Sequence, residues 1–438
     1  MRQRNRWMEK ALAFSLCLAF MAIPVFAAST VEPANKMGEE WWAKRHNAIV
    51  ERVKQGNVDL ILLGDSINHG WDTPGKEVFD KYYGHRNAVN MGFSGDRTEH
   101  VLWRLDNGEV DGISPKAVSV MIGTNNSKDN TAEEIGAGIV AVVNKLREKL
   151  PNTKVLILAI FPREEKPGET RDKLAKASEI ASKIADGNMI HYLDIGKVFL
   201  TEDGTLPKDI MPDALHPNPH GYALWAAAVE PKIAELMGEV VPPEGFRALF
   251  NGIDLRGWKG LVESPKVRAE MAPEKLVEEQ AKADERMRAH WKVEDGALVF
   301  DGGGDSLCTD RDYADFEMLV DWKILEKGDS GIYLRGSPQV QIWDPAGNPV
   351  GSGGLYNNQI NPSNPDKCAD KPVKEWNSFR IKMVGDKVTV HLNGELVVDN
   401  VTMENYWERD KPIYPTGQIE LQNHGNTLWF KNVFIREL

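Results

Sequence analysis

Five short runs, at residues 58–63, 88–91, 117–122, 155–160 and 190–195, are apolar almost from end to end, and they constrain this chain more than any other feature. A strand with one face in water alternates apolar with polar residues. A strand with no polar side to spare is covered on both faces. Between the runs lie longer segments of helical periodicity, such as 131–150 and 171–185. Strand and helix in alternation predict a parallel sheet with right-handed crossovers and helices on both sides. Ligands of such sheets gather beyond the C-terminal ends of the strands, so the residues just past each run are the ones to read for chemistry.

The pattern changes near residue 238. Val240-Val241-Pro242-Pro243 reads as a linker, and from Gly245 onward period-two alternation takes over. Phe316, Met318, Val320, Trp322 and Ile324 alternate with mostly polar partners, as do Phe379, Ile381 and Met383. Val388, Val390 and Leu392 follow suit and run into the hairpin signal Asn393-Gly394. Many short antiparallel strands predict a β-sandwich. The charged, glycine-free stretch at about 271–290 predicts a helical insertion on it. The expected organisation is an α/β three-layer parallel-sheet domain, flavodoxin-like, over 34–237, a linker over 238–244, and an all-β jelly-roll sandwich over 245–438.

The first 27 residues have the form of a secretory signal. Arg2, Arg4, Arg6 and Lys10 precede an apolar run that closes on Val25-Phe26-Ala27, which predicts cleavage after Ala27 and export to the periplasm or beyond. No later stretch is long and apolar enough to span a bilayer. Cys17 lies within the leader, leaving Cys308 and Cys368. Outside the cytoplasm such a pair forms either one disulfide or stays as two buried thiols, and both outcomes are open. A formal net charge of -12 argues against nonspecific nucleic-acid binding, which needs a basic surface.

The chemistry of the first domain sits where the sheet predicts it. Gly64-Asp65-Ser66 follows the first run, Gly92-Phe93-Ser94-Gly95-Asp96 the second, and Gly123-Thr124-Asn125-Asn126 the third. Asp213-Ala214-Leu215-His216 follows the fifth. These residue types fit ester hydrolysis. A serine hydroxyl needs a neighbouring base to take its proton, for which His216 is the candidate, with Asp213 orienting the ring. The Ser66 and Gly95 backbone N–H groups and the Asn125 amide are candidate oxyanion donors. Ser94 is the competing nucleophile. This arrangement needs no cofactor and no metal.

The four blocks resemble those of the SGNH, or GDSL-type, hydrolases, over about residues 59–236. The stretch from Gly95 to Leu105 is most similar to the branch that contains the platelet-activating-factor acetylhydrolase catalytic subunits. The resemblance implies that Ser66, Gly95, Asn125 and His216 are the family's four namesake residues and that Asp213 completes the triad.

In the second domain, alternation places Tyr333 and Arg335 on one face of a strand and Gln341 and Trp343 on one face of another. If the strands are neighbours, they make a polar, aromatic patch suited to sugars. A merely solvated outer face is the alternative. The block Phe246-Arg247-Ala248-Leu249-Phe250-Asn251-Gly252, with Asp329 to Gly336, Glu375-Trp376-Asn377 and Leu421 to Gly425, resembles the 3-keto-disaccharide hydrolase domain family. That implies a concanavalin-like jelly roll acting on or binding glycan. For elimination from a 3-keto sugar, the base candidates are Asp329, Glu375 and His424, and Arg335 and Gln341 are candidate enolate donors. A structural ion pair for Arg335 weighs equally, and a metal requirement stays open. The expected function is removal of a small acyl group, foremost acetyl, from a carbohydrate. A lipid acetylhydrolase, and a glycan-binding protein with a secondary hydrolase domain, are the alternatives.

Overall fold

The computed structural model describes residues 29–438, so the secretory leader expected at 1–27 lies outside the described residues. Five strands, β1 (Leu60–Gly64), β2 (Ala88–Gly92), β3 (Ala117–Met121), β4 (Lys154–Leu158) and β5 (Ile190–Leu193), form one parallel sheet in the order β2-β1-β3-β4-β5. The pleat sends alternate residues of each strand into two separate cores. Ile61, Leu63, Val118 and Val120 pack with Trp42, Ile139 and Val142 on one side. Leu60, Leu62, Met121 and Leu156 pack with Trp71, Tyr222 and Trp225 on the other. This double coverage is why the runs carry no polar period.

The second half holds two mostly antiparallel sheets of five and eight strands around a shared core that includes Trp258, Trp322, Ile332, Ile342, Phe379 and Leu421. Strands Asp329–Leu334 and Ser337–Trp343 are antiparallel neighbours in the smaller sheet. Asn393 and Gly394 both adopt positive φ at the hairpin between Lys387–Leu392 and Glu395–Thr402. The helix Pro273–His290 lies on the strand Trp258–Gly260 so closely that a Cβ on Gly260 would stand 2.2 Å from the Ala283 carbonyl oxygen. Among the described residues no helix is long and apolar enough to cross a membrane.

Of the two open outcomes the disulfide does not form: both thiols are free. Cys308 is buried in the smaller sheet between Trp258–Gly260 and Glu420–Leu421, with its sulfur 3.5 Å from the Lys259 carbonyl. Cys368 is exposed on a loop beside Gly351 and Asp370. Each thiol has its own neighbourhood, and neither faces the other.

The segment after the helix Pro219–Met237 is pinned. Gly238 caps that helix in the left-handed conformation. Glu239 is buried and accepts from Arg86 at 2.5 Å, and the Val240 amide donates to the Asn251 carbonyl. Arg86 is fully enclosed and also forks onto Glu230, with both nitrogens at 2.7 Å. Across the two halves, Arg256 pairs with Asp59 at 2.9 Å, Lys81 pairs with Glu437 at 2.6 Å, and Arg311 donates to the Asp80 carbonyl.

Candidate active site

Ser66 opens a single helical turn, Ser66–His69, directly past β1. Asp65 caps that turn, its Oδ1 accepting the Ile67 amide at 3.0 Å, and the Tyr222 hydroxyl holds the Ile67 carbonyl at 2.6 Å from beneath. His216 comes from the loop after β5. Asp213 folds this loop by accepting the backbone amides of Leu215 and His216, at 3.1 and 2.7 Å, with Ala214 in the left-handed region. Asn218 then caps the following helix.

The side chains meet in line. Ser66 Oγ lies 2.9 Å from His216 Nε2, and His216 Nδ1 lies 2.6 Å from Asp213 Oδ2. Partial burial works against the Asp213 charge. The hydrogen bonds from His216 outweigh it and hold the carboxyl below its ordinary range. A carboxylate on Nδ1 leaves Nε2 free to accept a proton from Ser66.

The second and third strand ends complete the surround. Gly95 has φ of 70°, where any side chain would strain the backbone. Its loop is braced from below by Asp96, which accepts Trp42 Nε1 at 2.8 Å and Arg104 Nε at 2.9 Å. Arg104 in turn reaches Glu109, which also contacts His46, so the positions following Gly95 serve to fix this loop. Asn125 is half-buried and gives one Nδ2 hydrogen to the Asp96 carbonyl at 2.8 Å, which leaves the other hydrogen available. An open cleft of about 500 Å³ runs from Gly95 and Asn125 past Arg97, Lys128, Arg163 and Glu164. No aliphatic or aromatic residue lines it.

Two further groups stand here, of which the sequence motifs included only Asp65. Asp65 is fully buried, with Oδ2 unpartnered, and burial pushes its carboxyl up to about 7. Lys36 donates to the Gly95 carbonyl at 2.9 Å. Its signal was absent because it lies in the irregular stretch before the first helix.

In the second domain the structure brings some expected residues together and separates others. His424 Nδ1 stands 3.5 Å from Asp329 Oδ2, and Asp329 Oδ1 accepts Gln341 Nε2 at 2.8 Å. Tyr333 lies on the same sheet, opposite Gln339 and Glu420, with its hydroxyl 3.4 Å from Gln422 Nε2. Gln341 faces Gly331 rather than Tyr333 and is buried by its own hydrogen bonds to Asp329 and to the Ser330 and Ile342 carbonyls.

Arg335 does not share the face of Tyr333. The register shifts at Leu334, and Arg335 itself turns to φ of 56°. Its buried guanidinium is spent on the Ala314, Gly385 and Tyr414 carbonyls and on Asp315 at 2.6 Å. The structural ion pair is therefore what the fold contains, and the enolate-donor role falls. Glu375 is exposed on a turn leading into the larger sheet, apart from the sheet that carries Tyr333.

Two acceptors that the sequence did not flag, Gln339 Oε1 and Gln422 Oε1, are buried without hydrogen-bond partners around Tyr333, and Glu420 Oε1 beside them has only the ion pair with Arg268 at 3.7 Å. Burial pushes the Glu420 carboxyl up to about 7, against the pull of Arg268. An acidic residue between the apolar Ile419 and Leu421 was the available signal. No group of three or more metal-ligating side chains occurs among the described residues.

Comparison with known proteins places this geometry. The GDSL-like lipase/acylhydrolase family model matches residues 62–224, and the 3-keto-alpha-glucoside-1,2-lyase-like domain model matches 245–436. Platelet-activating factor acetylhydrolase IB subunit alpha2 of Rattus norvegicus is 35% identical over 206 residues, 46% of this chain and 87% of that protein. The alpha1 subunit of Homo sapiens is 32% identical over 203 residues, 46% of this chain and 87% of that protein. The crystal structure of a GDSL-like lipase from Bacteroides thetaiotaomicron is 18% identical, covering 45% of this chain and 97% of that one, with a TM-score of 0.36.

The chain is an ester hydrolase by class, built on a parallel α/β sheet. It belongs to the GDSL-like lipase/acylhydrolase family and carries a 3-keto-disaccharide hydrolase domain behind that unit.

Proposed function

We propose that this is an exported serine esterase that removes a small acyl group, foremost acetyl, from a carbohydrate. The observation that carries the reading is the continuous line Ser66 Oγ, His216, Asp213 at the C-terminal edge of the sheet. Ser66 Oγ adds to the acyl carbon while its proton passes to His216 Nε2. The oxyanion is received by the Ser66 and Gly95 amides and by the spare Asn125 hydrogen. The C–O bond to the sugar then breaks, and the leaving oxygen takes the proton back from His216. Water, deprotonated by the same ring, clears the acyl-enzyme and regenerates Ser66.

The polar lining of the cleft supports a hydrophilic leaving group over a lipid tail, which would seek hydrocarbon walls. The acetyl preference rests on the acetylhydrolase relatives. The test is acetate release by the full chain from acetylated oligosaccharides, with Ser66→Ala as control. Release that persists in Ser66→Ala would reject the assignment.

A second activity in the same chain is supported by the unpartnered acceptors around Tyr333. Buried acceptors without donors are costly, and sugar hydroxyls are donors. Beside them, His424 backed by Asp329 is the base we assign for abstraction of the C2 proton of a 3-keto-glycoside, whose C1 oxygen then departs. Full-length Ser66→Ala incubated with a 3-keto-disaccharide should release free sugar, and His424→Ala should abolish that release. Binding without release would make this domain a glycan-binding module.

A further inference from the structure

The cleft beside Gly95 and Asn125 is cationic in a chain whose net charge is -12. Arg97, Lys128 and Arg163 line it, and Glu164 is the one carboxylate in its wall. Arg97 is neutralised by Asp129 at 2.5 Å. Neither Lys128 nor Arg163 forms an ion pair in the described part of the chain. Arg163 is anchored rather than loose: its Nη1 reaches the carbonyl and hydroxyl oxygens of Thr124, each at 3.3 Å, next to Asn125. Its Nε is nonetheless buried with no hydrogen-bond partner.

These facts point the same way. A fixed guanidinium and a free ammonium flanking one polar cleft make a receptor for an anion, because charge focused in a cleft raises the local concentration of the opposite sign. Arg also matches the planar fork of a carboxylate better than a spherical anion. No aliphatic or aromatic residue lines the wall, which disfavours an anionic lipid with its alkyl chain.

We infer that the esterase site acts on acyl esters of acidic saccharides, with a sugar carboxylate on the leaving group held between Lys128 and Arg163. The inference rests on Ser66 being the nucleophile. It adds that the site selects a uronate-bearing sugar over its neutral counterpart. The chemical step is unchanged: the carboxylate stays outside the bonds that form and break, and it positions the ester through the sugar ring.

The test compares a matched pair, an O-acetylated methyl glucuronide and the O-acetylated methyl glucoside, using the full chain and following acetate. At about 0.02 M ionic strength, kcat/KM should favour the glucuronide by ~10-fold or more, as an electrostatically focused site would. The preference should shrink toward parity near 1 M salt, where the Debye length is about 3 Å. Lys128→Glu should cut the glucuronide-to-glucoside ratio by ~10-fold or more, mainly through KM, and Lys128→Arg should retain it.

Parity between the two sugars at low salt, or a ratio indifferent to Lys128→Glu, overturns the inference. So does faster cleavage of an acetylated phospholipid than of either sugar. p-Nitrophenyl acetate separates this from the underlying reading. Turnover of that neutral ester, lost in Ser66→Ala, together with parity between the sugars removes only the acidic-sugar assignment. No turnover of any ester removes both.

Discussion

Ser94 Oγ lies 2.9 Å from His69 Nδ1, the same separation that joins Ser66 Oγ to His216 Nε2. The two pairs differ in what stands behind the ring. His216 has Asp213 on its far nitrogen. His69 stacks on Trp41, and its Nδ1 also receives the Ser94 amide at 3.3 Å. Burial and the nearby Arg45 also lower the proton affinity of His69. A fluorophosphonate should therefore label Ser66 and not Ser94. Ser66→Ala and His216→Ala should each lower kcat on a short activated ester by ~10³-fold or more. Asn125→Ala should cost roughly 10²–10³-fold. Ser94→Ala should cost less than about 10-fold, and a larger loss there than at Ser66 would reverse the assignment.

Asp65 gives the first domain a pH signature. Its native carboxyl titrates near 7 and its unfolded carboxyl near 3.8. Between those values the native state keeps a proton that the unfolded chain has released. Stability therefore falls as pH rises through this window and bears the full cost above it. Asp65→Asn keeps an acceptor for the Ile67 amide but carries no charge. Its melting temperature should exceed the wild-type value by about 3 °C or more at pH 8, on the order of 1 kcal/mol, and the gain should vanish near pH 4. A gain independent of pH would mean that Asp65 is not the titrating group.

Arg335 should behave as a structural residue. Truncation to Ala strands three carbonyls and Asp315 at once. The expected loss is about 2–4 kcal/mol. Calorimetry should show a lower melting temperature for the transition of the second domain. Acetate release at 25 °C should be retained. A wild-type melting profile with lost 3-keto-glycoside cleavage would restore the donor role.

The two cysteines should differ in reactivity. Burial pushes the Cys308 thiol up to about 12, whereas Cys368 is exposed. Of Cys308 and Cys368, iodoacetamide should modify only Cys368 in the native chain and both after denaturation without reductant. Denatured, unreduced protein with no reactive thiol would show a disulfide after all.

The parallel sheet was legible because its strands are buried on both faces, which leaves a run such as Leu60 to Leu63 no polar residue to confuse it with a half-exposed strand. The placement of Asp213 and His216 three residues apart was legible for a local reason. A short loop lets one carboxylate hold both the ring and the backbone of its neighbour. Arg335 misled because alternation assumes that the strand continues. The chain instead leaves the sheet at Leu334, and the only cue was the following Gly336 in a tight turn. Glu420 and Gln422 alternate along one segment, but Gln339 and Tyr333 reach them from strands far earlier in the sequence, so no spacing rule could join the four.

The position of Glu239 changes what counts as the end of the first domain. The last helical residue is Met237, but Arg86 is enclosed between Glu230 and Glu239, and a fragment stopping at the helix would leave one arm of that buried cation without its counter-ion. One residue later, Val240 is already hydrogen-bonded to Asn251. The stretch between the two halves thus works mechanically as a strut rather than a hinge. A protease seeking slack chain should pass over it, and two domains joined this way would keep a fixed spacing instead of swinging independently.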